Sequence, residues 1–160
     1  MEYAKLNTLT LHNFDKNDDS AVTFLKKIII DESIKSRFQG ITTGLLSNPK
    51  NEFFGHGFLV KHNNQFIGYI GIGNYNTEEQ STYLRAAIDK DIRGMNYGKT
   101  LLAEITEYIF YTYPQVENIR LKIARDNVPS LMTANACGYD WLEGDLFIKH
   151  NPYIKENKTK

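Results

Sequence analysis

The sequence is poor in several features that would each point to a particular class of protein. Its 160 residues include one cysteine, Cys137, so no disulfide can form within the chain, and a reducing compartment fits. No stretch approaches the roughly 18 apolar residues that span a bilayer. The first residues lack the basic-then-apolar layout of a signal peptide. We therefore expect a cytoplasmic protein that does not associate with a membrane.

The sequence also has no excess of positive or negative charge. Lys and Arg together number 19, as do Asp and Glu, so the net charge is zero. Nucleic-acid binding depends on a basic face, and none is expected here. The four histidines lack the spacing of metal ligands, so we predict no metal site and assign them structural or surface roles: His12, His56, His62 and His150.

What is present is a regular alternation of segments suited to one domain. Apolar residues make up 41% of the chain, which is enough for a packed core. We predict one domain over residues 1–150 and a polar tail over 151–160. The predicted strands are Thr8–His12, Gly57–Lys61, Phe66–Ile72, Ser81–Ile88, Ile119–Ala124, Tyr139–Trp141 and Leu146–Ile148. Four helices are predicted: the first begins at Asp18–Ser20, the next two run over Ser33–Leu46 and Tyr97–Tyr113, and the last starts near Pro129. This order indicates a mixed α/β sheet with helices on its faces.

One turn carries the clearest chemistry. A strand ends near Ile88, and the residues RGMNYGK then lead directly into an amphipathic helix. The first amides of a helix have no internal partners, and the helix dipole favours an anion there. Gly94 and Gly98 allow close approach of the backbone, while Arg93 and Lys99 add positive charge. The segment predicts a phosphate-binding turn.

Two familiar phosphate-binding patterns fit this turn less well. A nucleotide-hydrolase loop needs four residues between its glycines, but only three separate Gly94 from Gly98. The dinucleotide pattern G-x-G-x-x-G fails as well, because Gly71 and Gly73 are followed at the required position by Asn76.

The turn resembles that of the GNAT acetyltransferase superfamily, which reads Gln/Arg-x-x-Gly-x-Gly/Ala at the start of its central helix. The segment from Arg93 to Gly98 matches every fixed position except Asn96, where glycine is usual. Asn is among the few residues that tolerate a positive φ, so the departure is mild. The resemblance implies a mostly antiparallel sheet that splays between two parallel strands.

A second block strengthens the resemblance. Asn127 and Ser130, followed by Gly138-Tyr139, are similar to the family's strand-to-helix segment N-x-x-S/A, seven residues, Gly-Phe/Tyr. The ending around Trp141–Gly144 is similar to the branch that includes ribosomal-protein N-terminal acetyltransferases. By resemblance, acetyl-CoA is the co-substrate, with backbone amides around Ala86 and Ile88, at a strand bulge, polarising its carbonyl. The implied cofactor-binding residues are Ala86, Ile88, Arg93, Gly94, Met95, Asn96, Tyr97, Gly98, Lys99, Asn127 and Ser130.

The catalytic positions depart from the family pattern. Tyr83 stands where a catalytic Glu is common, and Ala134 stands where an acid Tyr is common. Glu79, with its neighbour Glu78, is a candidate to activate the amine through a water, and Tyr83, Tyr97 or Tyr139 is a candidate to protonate the thiolate. The predicted catalytic set is Tyr83, Glu79 and Tyr139, unless the enzyme relies mainly on positioning.

Two functions remain open from the sequence. One is an N-acetyltransferase acting on a primary amine of a small molecule or peptide N-terminus. The other is an acyl-CoA-binding protein of the same fold, weak in catalysis, that serves as a sensor or partner module. The acceptor, the length of the acyl group and a homodimeric assembly are left open.

Overall fold

The computed structural model describes residues 2–31, 48 and 50–154. Within them it has eight strands and three α-helices, with a short 3-10 helix over Lys90–Ile92. The strands are β1 (Glu2–Lys5), β2 (Leu9–His12), β3 (Gly57–His62), β4 (Gln65–Ile72), β5 (Ser81–Ile88), β6 (Asn118–Lys122), β7 (Asp140–Glu143) and β8 (Leu146–His150). The helices are α1 (Asp19–Ile29), α2 (Tyr97–Thr112) and α3 (Val128–Ala136).

All eight strands belong to one sheet in the order β1-β2-β3-β4-β5-β6-β8-β7. Neighbours are antiparallel except β5 and β6, which are parallel. This parallel pair covers only three residue pairs, Ser81–Tyr83 against Asn118–Arg120. Beyond Tyr83 the two strands separate, so the sheet divides into two parts that stay joined at one end.

A polar cluster fixes the point where the strands meet. Arg120 reaches Glu79 with an N···O distance of 3.1 Å and also donates to the side chain of Asn118. Asn118 in turn donates to the Glu79 carbonyl, and Ser81 donates to the Glu79 carboxylate. These side chains tie the turn before β5 to the first residues of β6.

The sheet buries a different core on each face. The larger core packs α2 and α3 against residues such as Phe58, Ile70 and Leu84. The smaller core packs α1 against Leu59 and Tyr69, with Ala87 beside them. Because side chains alternate along a strand, Tyr83 and Arg85 lie on the same face as Ala87, the α1 face.

The predicted and observed elements agree closely in the centre of the chain. Ser81–Ile88 is a strand as predicted, and the central helix ends one residue earlier than expected, before Pro114. β1 was not predicted, because its four residues EYAK carry no alternating pattern. The predicted helix Ser33–Leu46 and residues 155–160 of the predicted tail lie outside the described residues. At the start of that tail, Asn151 is buried and donates to the carbonyls of Phe110 and Val116. No helix among the described residues is long and apolar enough to cross a bilayer.

Candidate functional site

The turn before α2 has the backbone that its sequence predicts. Gly94 has φ +94°, and a Cβ added there would meet nothing within 4 Å. Asn96 is the N-cap of α2 with φ 64° and ψ 16°, the left-handed conformation that Asn tolerates, and its side chain makes no capping hydrogen bond. The dipole of α2 favours an anion at this end.

Arg93 has a different orientation from the one expected of a phosphate ligand. Its Nη2 lies 2.5 Å from the carboxylate of Asp31, which is buried just after α1. Its Nε and Nη2 also donate to the carbonyl of Ile88, at 3.2 and 3.0 Å. These donors hold the turn against β5 and the end of α1. Arg93 also lines the groove described below, and its contact with a pyrophosphate stays a prediction.

A groove of about 1490 Å³ runs beside this turn and passes between β5 and β6. Most of the residues that line it fall into two sets, which meet at the middle of β5. We call the first set the cleft arm: it comprises the α2-side residues of β5, the turn before α2, the end of β6 and the start of α3. We call the second set the face arm: it lies over the α1 face of the sheet and comprises Gly55, His56, Tyr69, Gly71, Gly73, Tyr83 and Arg85.

Most residues predicted to bind the cofactor lie in the cleft arm. These are Ala86, Ile88, Arg93, Gly94, Asn96, Tyr97, Gly98, Lys99, Asn127 and Ser130. Met95 is the exception, because its side chain is 62% exposed and does not line the groove. The strand bulge expected near Ala86 is also absent: the register from Gly68↔Ile88 to Ile72↔Leu84 is unbroken.

Asn127 caps α3 at the edge of the same arm. Its side chain accepts a hydrogen bond from the Ser130 amide at 3.4 Å, and Pro129 lies in the first turn. Capping and ligand contact are compatible, since an Asn side chain also has two donors.

The three predicted catalytic residues have different positions. Tyr83 lines the groove, and its ring lies 5.8 Å from Lys122 Nζ. Glu79 does not line the groove, because its carboxylate is held by Arg120 and Ser81 in the cluster where β5 and β6 join. Tyr139 is 2% exposed, its hydroxyl lies 2.6 Å from Thr106 Oγ1, and burial raises its pKa. Neither Glu79 nor Tyr139 lines the groove, and both side chains have partners within the fold, so the structure does not bring them to this site.

The face arm contains a tyrosine that the sequence analysis did not single out. The ring of Tyr69 lies over Gly57 and Gly71, which are paired across β3 and β4. An added Cβ would lie 2.5 Å from the ring at Gly57 and 2.6 Å from the hydroxyl at Gly71. Burial raises the pKa of Tyr69 to about 12 against the opposing effect of Arg85, so the phenol keeps its proton at neutral pH.

His56 is the second residue that sequence reasoning missed, having been assigned a structural or surface role. It lines the face arm, and its side chain is 16% exposed. A lone histidine outside any motif gives no signal in one sequence. The glycines at 55, 57, 71 and 73, which leave the sheet bare there, are the pattern that points to this region.

Comparison with known proteins agrees with this geometry. The chain matches the model of the acetyltransferase (GNAT) domain over residues 4–140. It therefore belongs to the GNAT acetyltransferase family. No protein with a curated description matches it by sequence.

Several solved structures share the fold at low sequence identity. A proposed ribosomal-protein-serine acetyltransferase from Vibrio cholerae has a TM-score of 0.69 and 18% identity, with 94% of this chain and 97% of that chain covered. RimL, a ribosomal L7/L12 alpha-N-protein acetyltransferase in complex with CoA, has a TM-score of 0.67 and 13% identity, with coverage of 94% and 98%. A chimera of the Vibrio cholerae spermidine N-acetyltransferase SpeG and hSSAT has a TM-score of 0.63 and 17% identity, with coverage of 93% and 99%.

Proposed function

We propose that this protein transfers an acetyl group from acetyl-CoA to a primary amine of a small molecule or a peptide N-terminus. The two-armed groove is the observation that carries the proposal. The cleft arm offers a helix N-terminus for the pyrophosphate and open strand edges for an extended pantetheine arm. The face arm offers a separate approach for the acceptor, and the two meet beside Ala86.

This layout favours direct attack with both substrates bound together. Among the described residues, no three His, Cys, Asp or Glu side chains gather as metal ligands. The lone thiol, Cys137, does not line the groove, and burial raises its pKa, so it is a poor nucleophile. We therefore assign no covalent enzyme intermediate. The thioester carbonyl is polarised by backbone amides of β5 in this proposal.

Binding of acetyl-CoA is the first test. A ligand that binds only the folded state stabilises it by about 2.7 kcal/mol at one hundred times its dissociation constant. We expect acetyl-CoA to raise Tm in a thermal-shift measurement, whereas ATP with Mg²⁺ leaves it unchanged. The absence of a shift at millimolar acetyl-CoA would refute the proposal.

Turnover separates the enzyme from a binding module of the same fold. Free CoA release is measured with two matched peptides, one with a free N-terminus and a blocked lysine, the other with the groups reversed. We expect the α-amine to react faster at pH 7, because its pKa is about 7.7–8.0 against about 10.4 for a lysine. The difference should narrow toward pH 9. If the protein binds acetyl-CoA but releases no free CoA in the presence of either peptide, the sensor or partner module is favoured.

A further inference from the structure

Two cations line the groove on the α1 face of the sheet, near the point where the face arm meets the cleft arm. Arg85 comes from β5, directly before Ala86, and its side chain is exposed. Lys122 is the last residue of β6, and its Nζ lies 5.8 Å from the centre of the Tyr83 ring. Because β5 and β6 separate beyond Tyr83, the two cations lie on either side of the opening.

Neither cation is neutralised by the part of the fold that the structure describes. Over residues 2–31, 48 and 50–154, the side chains of Arg85 and Lys122 form no ion pair and no hydrogen bond. Arg120 differs, because it is paired with Glu79 at 3.1 Å. Among the described residues that line the groove, the acidic one is Asp126, which lies beside the N-cap of α3 in the cleft arm. The described acceptor side of the groove therefore carries uncompensated positive charge.

Tyr69 adds a neutral donor next to Arg85. Arg85 pairs with Gly71 across β4 and β5, and the Tyr69 hydroxyl lies over Gly71, 2.6 Å from where an added Cβ would be. Burial raises the pKa of Tyr69 to about 12 despite the opposing effect of Arg85, so the hydroxyl keeps its proton at neutral pH. A guanidinium next to a protonated phenol offers donors to an oxygen anion, and a carboxylate is such a group.

We propose that the acceptor amine carries a carboxylate near its reacting nitrogen, and that Arg85, Lys122 and Tyr69 bind this carboxylate. The inference rests on the proposed acetyl transfer and names the class of acceptor. An acidic peptide N-terminus and a free amino acid both supply this chemistry. A polyamine does not, because its further ammonium groups would lie against two unpaired cations and be repelled.

The position of Arg85 suits this role. Its neighbour Ala86 lies where the two arms meet and where the thioester is placed in the proposed transfer. A carboxylate bound beside Arg85 leaves an amine a few bonds away within reach of that point. The same positive charges favour the neutral form of the incoming amine, which is the form that attacks, and so lessen the need for a dedicated base.

The experiment compares Arg85→Gln, Arg85→Lys and Lys122→Gln with the unaltered protein and with Lys5→Gln. Lys5 is an exposed strand cation in β1 that does not line the groove, so it controls for the loss of one positive charge. The main probes are two tetrapeptide amides with a free N-terminus, which differ only in having Asp or Asn as the second residue. Alanine with alaninamide forms a second pair, and spermidine is the cationic probe. Turnover of acetyl-CoA is measured as CoA release.

We expect kcat/KM of the unaltered protein to be about tenfold or more higher for the Asp peptide than for the Asn peptide, mainly through a lower KM. Arg85→Gln should bring this ratio to within about threefold of one, Lys122→Gln should lower it less, and Arg85→Lys should retain part of it. Lys5→Gln should leave it unchanged, and the affinity for acetyl-CoA should be the same throughout. Added salt should narrow the ratio, because exposed charges are screened. A purely structural role of Arg85 would lower both rates equally and leave the ratio as it was.

The second pair of probes identifies the source of the carboxylate. Comparing each ratio between variants cancels the difference in basicity between alanine and alaninamide. A ratio of alanine to alaninamide that falls in Arg85→Gln supports a free amino acid as acceptor. A ratio that changes only for the peptides supports an acidic N-terminus.

The opposite results overturn the assignment. Equal kcat/KM for the Asp and Asn peptides, with no effect of Arg85→Gln on either pair, removes the carboxylate site and leaves acetyl transfer standing. Faster turnover of spermidine than of the Asp peptide does the same. If acetyl-CoA binds but no probe releases CoA, acetyl transfer fails, and titration of the two peptides in the presence of CoA still decides whether the site exists. If Arg85→Gln unfolds, Lys122→Gln and the salt dependence decide.

Discussion

At the residue scale, two glycines shape the face arm by leaving room for one aromatic ring. Gly57 and Gly71 lie opposite each other on β3 and β4, and Tyr69 lies across both. A side chain at either position would displace the ring. The glycines thus set where the Tyr69 hydroxyl lies in the arm assigned to the acceptor.

We expect Gly57→Ala and Gly71→Ala each to destabilise the protein by about 1–3 kcal/mol, the usual cost of overpacking. The two should respond differently to Tyr69→Phe. At Gly71 the closest atom is the hydroxyl at 2.6 Å and the next ring atom is at 3.2 Å, so losing the hydroxyl relieves most of the clash. At Gly57 a ring carbon at 2.5 Å remains, so the clash persists.

Chemical denaturation of the single and double variants measures this difference. Gly98→Ala is the control, because its added Cβ would meet only Ile88 Cγ1 at 3.9 Å. Equal rescue of both glycine variants by Tyr69→Phe would show that the ring does not hold the described position.

At the scale of elements, ion pairs connect the end of α1 to the segment between β5 and α2. Lys27 lies 2.8 Å from Asp89 and 2.6 Å from Asp91, and these contacts raise the pKa of Lys27 and lower that of Asp91. Arg93 and Asp31 form the second link. The exposed Lys27–Asp91 pair contributes little, whereas the link to the buried carboxylate of Asp31 is the stronger one.

Arg93 and Lys99 should therefore behave differently, although both are cations of the same turn. We expect Arg93→Ala to lower the stability of the cofactor-free protein by about 1–3 kcal/mol, because charged hydrogen bonds to Asp31 and Ile88 are lost. None of the ion pairs found among residues 2–31, 48 and 50–154 involves Lys99, which lines the groove. Lys99→Ala should leave that stability within about 0.5 kcal/mol and weaken acetyl-CoA binding.

Thermal unfolding without ligand and titration with acetyl-CoA separate the two effects. An Arg93→Ala protein as stable as the unaltered one, with weaker acetyl-CoA binding, would support the interpretation of Arg93 as a direct phosphate ligand.

At the scale of the whole molecule, the sequence predicted the parts that depend on local pattern. The strand Ser81–Ile88, the helix that begins at Tyr97 and the left-handed Asn96 follow from periodicity and from the conformations that Gly and Asn tolerate. The side-chain partners of Glu79, Arg93 and Tyr139 could not be predicted, because each is distant in sequence: Arg120, Asp31 and Thr106. No local pattern encodes such contacts.

The face arm could not be predicted for the same reason. His56, Tyr69 and Arg85 come from three segments, and only the pairing of β3 with β4 and of β4 with β5 brings them together. Strand register is a long-range property that a single sequence specifies weakly. The cleft arm, by contrast, is built largely from two contiguous motifs, which is why most of its residues were found.

The short parallel contact between β5 and β6 has a further consequence: it limits how far a bound cofactor can extend along the cleft. The strands part after Tyr83 and β5 ends at Ile88, so about 17 Å of strand separate the closed end from the segment that leads to the anion site. A cofactor fixed by its pyrophosphate can extend only as far as the point where β5 and β6 join. In the proposed acetyl transfer, a two-carbon acyl group would end beside the face arm, whereas a longer chain would press on the joined strands or occupy the acceptor's place. We expect hexanoyl-CoA to give a kcat/KM about tenfold or more below that of acetyl-CoA, with CoA itself bound normally. Equal turnover of the two thioesters, measured as CoA release, would mean that the joined strands at Tyr83 do not limit the length of the acyl group.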